Sequence, residues 1–172
     1  MRLIDLGIPH VTSWNGRGVV PEDHPLTLGP LNATPEVVEF YKSVDLLIVA
    51  GGRLRGHETA DMSMKLPERR VQIDIDPRAN GRTYSTDYFL CADAGPALDG
   101  LADAIAGKIE IDSKLAGDIA ALKETTTENY RRAQAPYDGF PATLRKAMPK
   151  DAIWVRDVTL SNSTWGNRIF PI

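Results

Sequence analysis

A chain of 172 residues that is 42% hydrophobic and 25% charged suits one soluble domain, or one domain with a piece of another. A net charge of -3, a pI near 5.6 and the lack of a basic patch argue against nucleic acid as a partner. The single cysteine, Cys91, rules out an internal disulfide and a cysteine-rich metal centre, and His10, His24 and His57 lack ligand spacing. No apolar run approaches the roughly 20 residues that cross a bilayer. The opening from Met1 to Gly7 is too short and polar for a signal peptide. A cytoplasmic, soluble α/β protein without membrane contact is expected.

In chain order, Leu3 to Gly7 reads as a helix C-terminus with its glycine stop, leading into a strand over residues 10–13. Asn15, Gly16, Arg17 and His24 follow this strand, at the end where open α/β sheets bind ligands. Asn15 and Gly16 are read as a turn and His24 as a fixed loop residue. Thr34-Pro35 opens a helix, with threonine as N-cap and proline in the first turn. Residues 45–50 form a continuous apolar run that ends in Gly51-Gly52, the pattern of a parallel strand covered on both faces. Strands are also expected over 70–75 and 88–91, with Cys91 as a small core residue. Leu98, Leu101, Ile105 and Ile109 mark a helix from Pro96. Alternating strands and helices predict a parallel, doubly wound, Rossmann-like sheet with flanking helices.

Beyond Lys108 the texture changes. Residues 112–134 are helix-permissive and highly charged, with a thin stripe of Leu115, Ile119 and Leu122 and a weak point at Thr125-Thr126-Thr127. Pro136, Gly139 and Pro141 break this helix. A helix over 142–147 and a strand over 152–155 then read as the opening of a second unit, since one helix and one strand cannot bury a core alone. A sheet lacking a first strand is expected to expose edge or face surface and so to self-associate or be marginal in stability.

Several motifs occur in a telling order: Gly7-Ile8-Pro9, Thr12 to Gly18, Pro21 to Pro25, Leu28-Gly29, Asp45 to Arg53, Ile73-Asp74-Ile75-Asp76-Pro77, Ala92-Asp93-Ala94 and Leu144 to Val155. This series resembles the central domain of thiamine-diphosphate-dependent enzymes of the acetolactate synthase and benzoylformate decarboxylase group, followed by the start of their diphosphate-binding domain. The resemblance implies a central domain over 1–110 without its first strand, a helical linker over 111–137, and an incomplete diphosphate-binding domain over 138–172. It also implies a parent enzyme that uses thiamine diphosphate and Mg²⁺ on a 2-keto acid, with further domains and a homo-oligomeric assembly as partners. The family's cofactor-activating glutamate lies in a domain that this chain does not match. Its Gly-Asp-Gly motif for Mg²⁺ does not occur in the sequence. No catalytic residue and no metal ligand is therefore assigned, and the chain alone is expected to be inactive.

Some family members bind FAD or ADP in the central domain. The corresponding positions here are Gly51, Gly52 and Arg53 after one strand, Asp74 and Asp76 after the next, and Asp93 after the last. Glycines let backbone N–H groups approach a phosphate, Arg53 can pair with it, and a strand-end acid can accept ribose hydroxyls. The bland reading is equally open, with Gly51-Gly52 as a tight strand exit and Asp74 and Asp76 as backbone caps. Arg53 is followed by Leu54-Arg55-Gly56, where flavin-binding relatives carry an acidic pair. A scaffold domain with optional nucleotide binding, or a free-standing nucleotide-binding module without catalysis, both fit. The resemblance places Ser161, Asn162, Ser163 and Thr164 near the cofactor diphosphate of a parent enzyme, and Trp154 and Trp165 against its other parts.

Overall fold

The computed structural model describes residues 2–155 and 157–172. The chain is α/β, with parallel strands flanked by helices. After α1 (Arg2–Asp5) come β1 (His10–Val11), β2 (Thr27–Gly29), α2 (Pro35–Phe40), β3 (Leu46–Ala50), β4 (Arg69–Asp74) and β5 (Tyr88–Cys91). Three helices follow: α3 (Ala94–Ile105), α4 (Leu115–Arg132) and α5 (Phe140–Ala147). The strands pair in two parallel ladders, β1 with β2 and β3-β4-β5.

The strand β2 carries no sequence signal of its own. It is three residues long, and all three are buried, so neither alternation nor an apolar run announces it. It forms because Leu26, Leu28 and Leu31 anchor the central hydrophobic cluster with Ile4, Val37 and Ile119. The cluster joins α1, α2 and α4 to the β1–β2 pair. Within it Tyr41 is buried, and loss of water pushes its hydroxyl well above the usual phenol range.

The helix α4 runs unbroken through Thr125-Thr126-Thr127. Burial overrides the local propensity cost there, because Ile119 and Thr126 are both fully enclosed. The Thr126 hydroxyl finds no hydrogen-bond partner among the described residues. At the exposed end, Glu128 accepts from Arg131 at 2.8 Å and from Arg132 at 2.6 Å, one turn on. These two guanidinium partners hold its carboxyl down to about 2.

Several expectations need correction. β3 is not covered on both faces: Val49 is its one buried residue, and Leu46 and Ala50 are exposed. Side chains point to the faces of a sheet, and the helix with substantial contact to this ladder, α3, packs on β4 rather than on β3. Cys91 is exposed, since it lies on β5, against which no helix makes substantial contact among the described residues. Residues 152–155 are not a strand, having no ladder partner among the described residues. Thr34 has the extended N-cap conformation, but its hydroxyl donates to the Leu31 carbonyl at 2.7 Å rather than capping α2. Trp154 and Trp165 do not face outward for a partner: they stack on each other, 5.4 Å apart and 7° from parallel.

Candidate functional site

Parallel register decides which residues meet at the carboxyl edge of the three-stranded sheet. Ala50 lies opposite Ile73, and Asp74 opposite Cys91. The exits Gly51–Arg53, Asp74–Asp76 and Ala92–Asp93 therefore leave the sheet side by side.

Gly51 turns out of β3 with φ at +63°, a left-handed conformation that disfavours side chains, and its N–H donates to the Ile73 carbonyl at 2.9 Å. No heavy atom stands within 4 Å of where a side chain would begin, so the glycine serves conformation rather than close packing. The Gly52 carbonyl accepts from the buried Gln72 amide at 3.2 Å, which ties the turn to β4. Arg53 is half-exposed, and its guanidinium stands 3.6 Å from the Asp76 carboxylate.

Asp74 is buried, and its carboxylate accepts the Asp76 N–H at 2.9 Å. Asp76 caps the short turn Pro77–Ala79 and accepts from the Arg78 side chain at 3.0 and 3.1 Å and from its backbone N–H at 3.0 Å. Those bonds hold the Asp76 carboxyl below the usual range, the side-chain bonds to Arg78 first among them. Asp93 caps α3, accepting the Gly95 N–H at 2.8 Å. The structure thus brings Arg53 and Asp76 together and sets Asp74 beneath them. Asp93 turns to the start of α3.

One feature of this edge escaped the sequence reading. Leu54, Ala60, Asp61 and Met62 all have positive φ, between 48° and 65°. Four non-glycine residues in this region within one loop is unusual. No composition signal announces it, since none of the four is a residue type selected for this geometry except Asp61.

The loop after β1 is built differently. Ser13 caps the short helical turn Trp14–Gly16, accepting the Gly16 N–H at 3.2 Å. Asn15 sits exposed in this turn. His24 Nδ1 accepts the Leu26 N–H at 3.2 Å, fixing the ring in the loop. Arg17 is nearly buried and pairs with Glu22 through two bonds of 2.6 Å. It also donates to the carbonyls of Gly166 and Phe170. Thr164 donates its hydroxyl to the Leu160 carbonyl, and the Ser161 hydroxyl lies 2.9 Å from that of Thr159, so both serve their own turn.

Two open concavities lie away from the sheet edge. One, of about 770 Å³, separates Asp23–Pro25 from the Lys123–Arg132 face of α4. The other, of about 550 Å³, is lined by Trp14, Arg17, Arg145, Lys150, Trp154 and Phe170. Neither contains the residues expected to hold a cofactor. Among the described residues no three His, Cys, Asp or Glu side chains converge as a metal site. The strand-end carboxylates already serve caps and ion pairs. This donor set does not fit a Mg²⁺–diphosphate group.

Residues 3–101 match the family model of the thiamine pyrophosphate enzyme central domain. The chain belongs to this family. Among its relatives, a probable 2-ketoarginine decarboxylase of Pseudomonas aeruginosa is 25% identical over 154 residues, covering 90% of this chain and 28% of that protein. A probable acetolactate synthase large subunit of Methanocaldococcus jannaschii is 34% identical over 110 residues, covering 62% and 18%. The acetolactate synthase large subunit of Corynebacterium glutamicum is 31% identical over 166 residues, covering 88% and 26%. The chain therefore spans less than a third of the length of these relatives. The family match ends inside α3, so α4, α5 and the last residues lie outside it. No helix among the described residues is long and apolar enough to cross a membrane.

Proposed function

We propose that this chain is the central part of a larger thiamine-diphosphate-dependent enzyme that decarboxylates a 2-keto acid, with carboligation as in acetolactate synthase or with release of the product. The observation that supports this most is the family match over residues 3–101 on parallel strands flanked by helices. In this reading residues 1–110 are the central domain, 111–137 a connecting helix and 138–172 the opening of a diphosphate-binding domain. The parent works in the cytoplasm as a homo-oligomer. Thiamine diphosphate and Mg²⁺ supply the carbanion chemistry and are held mainly by other parts of the parent. The role of this chain is to position those parts.

The test is turnover by the purified chain with thiamine diphosphate, Mg²⁺, and pyruvate or 2-ketoarginine. No carbon dioxide release is expected. Sustained turnover would overturn the scaffold reading.

A second reading is favoured by the sheet edge: a site for FAD or ADP, in the parent or in a free-standing module. The space around Gly51 is open, Arg53 is half-exposed, and Asp76 and Asp93 stand at the two neighbouring strand ends. A phosphate would draw Arg53 from Asp76, and ribose hydroxyls would donate to a strand-end carboxylate. A rise in melting temperature with FAD or ADP that vanishes in Arg53→Gln supports this site. No response to either nucleotide in the folded chain removes it.

A further inference from the structure

We infer that residues 162–170 form a strap that closes over the carboxyl end of the β1–β2 pair and reopens as a unit. Its polar anchors are specific. Arg17, in the loop that leaves β1, has only 8% of its side chain exposed and is held rigid by Glu22. From that position its Nη1 donates to the Gly166 carbonyl at 3.2 Å and its Nη2 to the Phe170 carbonyl at 2.6 Å. In return, Arg168 of the strap donates to the Pro30 carbonyl, just beyond β2, at 2.7 Å. Its guanidinium lies 5.1 Å from the Trp14 ring and 5.5 Å from the Tyr130 ring. Tyr130 of α4 donates to the Thr164 carbonyl at 2.9 Å.

The strap is well folded within itself. It opens with a single π-helical turn over Asn162–Gly166, and the N–H groups of Arg168, Ile169 and Phe170 all donate to the Trp165 carbonyl. Trp165 and Phe170 are buried. Their aromatic contacts are with each other, Trp154 and Phe140, and neither Trp165 nor Phe170 belongs to the central cluster around Leu28 and Ile119. Among the described residues that lead into it, Ile153 is 90% exposed, Val155 85% and Val158 82%, while Trp154 packs on the rings of the strap itself. A satellite aromatic cluster apart from the central core, latched to the β1–β2 end and to α4 by bonds to neutral carbonyls, has the makings of a local opening unit. What it covers is Trp14, Arg17 and Pro30, at the end of the strands where an open α/β sheet presents its crevice. Opening releases both Nη groups of Arg17 from the strap carbonyls and bares the Trp14 indole.

Hydrogen exchange of the full chain, followed by mass spectrometry, tests this. Two variants weaken the latch from opposite sides. Arg17→Gln removes the donor. Gly166→Ala adds a methyl that collides with the Ser161 carbonyl and the Trp154 ring. In both, amides 163–170 are expected to exchange at least tenfold faster while amides 71–74 of β4 keep their protection. In the unmodified chain, low urea is expected to expose 163–170 before β4. The wild-type urea series decides the matter even where a variant fails to fold. The strap is overturned if 163–170 exchange as slowly in the folded variants as in the parent, if β4 loses protection along with them, or if urea exposes both in one transition.

Discussion

The Arg53 guanidinium stands 3.6 Å from the Asp76 carboxylate, joining the exit of β3 to the exit of β4 across the carboxyl edge of the sheet. The two partners are not equal. Arg53 is half-exposed, and its side chain has this one ionic contact among the described residues, whereas Asp76 also caps the Pro77–Ala79 turn and binds Arg78. Exposed ion pairs contribute little, while lost caps cost more. Asp76→Ala is therefore expected to lower the thermal midpoint more than Arg53→Gln, by differential scanning calorimetry. Equal effects would mean that the ion pair, not the cap, fixes this turn.

Glycine positions separate conformation from packing. At Gly51, with φ at +63°, an alanine meets no neighbour but must adopt a left-handed backbone, so Gly51→Ala is expected to destabilise by about 1–2 kcal/mol. Gly100 lies in the interior of α3 with open space where its side chain would be. Gly100→Ala is expected to stabilise by about 0.5–1 kcal/mol through helix propensity. Urea unfolding of both variants checks the opposite signs.

Acid should weaken the chain through Glu128. The side-chain bonds from Arg131 and Arg132 hold its carboxyl down to about 2, against an ordinary value of 4.5. A carboxyl depressed by folding adds stability above the unfolded value and loses it as pH falls through the folded one. The contribution is thus complete above about pH 4.5 and disappears towards pH 2. His10 acts in the same direction at higher pH. Burial lowers its pKa below 6.5, so the folded chain resists protonation of this ring as pH falls below that value. Urea midpoints from pH 7 to pH 2 are expected to fall, and the gap between the parent and Glu128→Gln is expected to close at the acid end. A gap independent of pH would contradict the pairing.

The edge strand β5 carries Tyr88, 74% exposed, and Leu90, 48% exposed, with no proline, lysine or bulge to blunt it. Concentration-dependent association is expected in sedimentation velocity, and Leu90→Lys is expected to reduce it. Association unchanged in that variant would place the sticky surface elsewhere.

The sequence made legible whatever rests on local pattern. The apolar runs of β3, β4 and β5, the Thr34-Pro35 start of α2 and the stripe of α4 all lie within a residue or a few of where the periodicity puts them. Properties that depend on neighbours were not legible. Residues 152–155 form a short apolar run like a strand, yet a strand needs a ladder partner. Cys91 sits in an apolar run, yet no helix makes substantial contact with its strand among the described residues. At the candidate site, the strand-end positions were legible because Gly51 and the three aspartates punctuate apolar runs. Their engagement with backbone N–H groups is a matter of geometry that no local pattern encodes. The contact of Arg17 with Phe170 joins positions 153 apart in sequence, and no local pattern encodes it.

In the function proposed above, this chain positions the other parts of a thiamine-diphosphate-dependent enzyme without itself holding the cofactor. Calorimetric titration of thiamine diphosphate with Mg²⁺ into the purified, folded chain tests it most directly. No saturable heat is expected at micromolar to millimolar cofactor. Saturable, Mg²⁺-dependent binding with one cofactor per chain would contradict it.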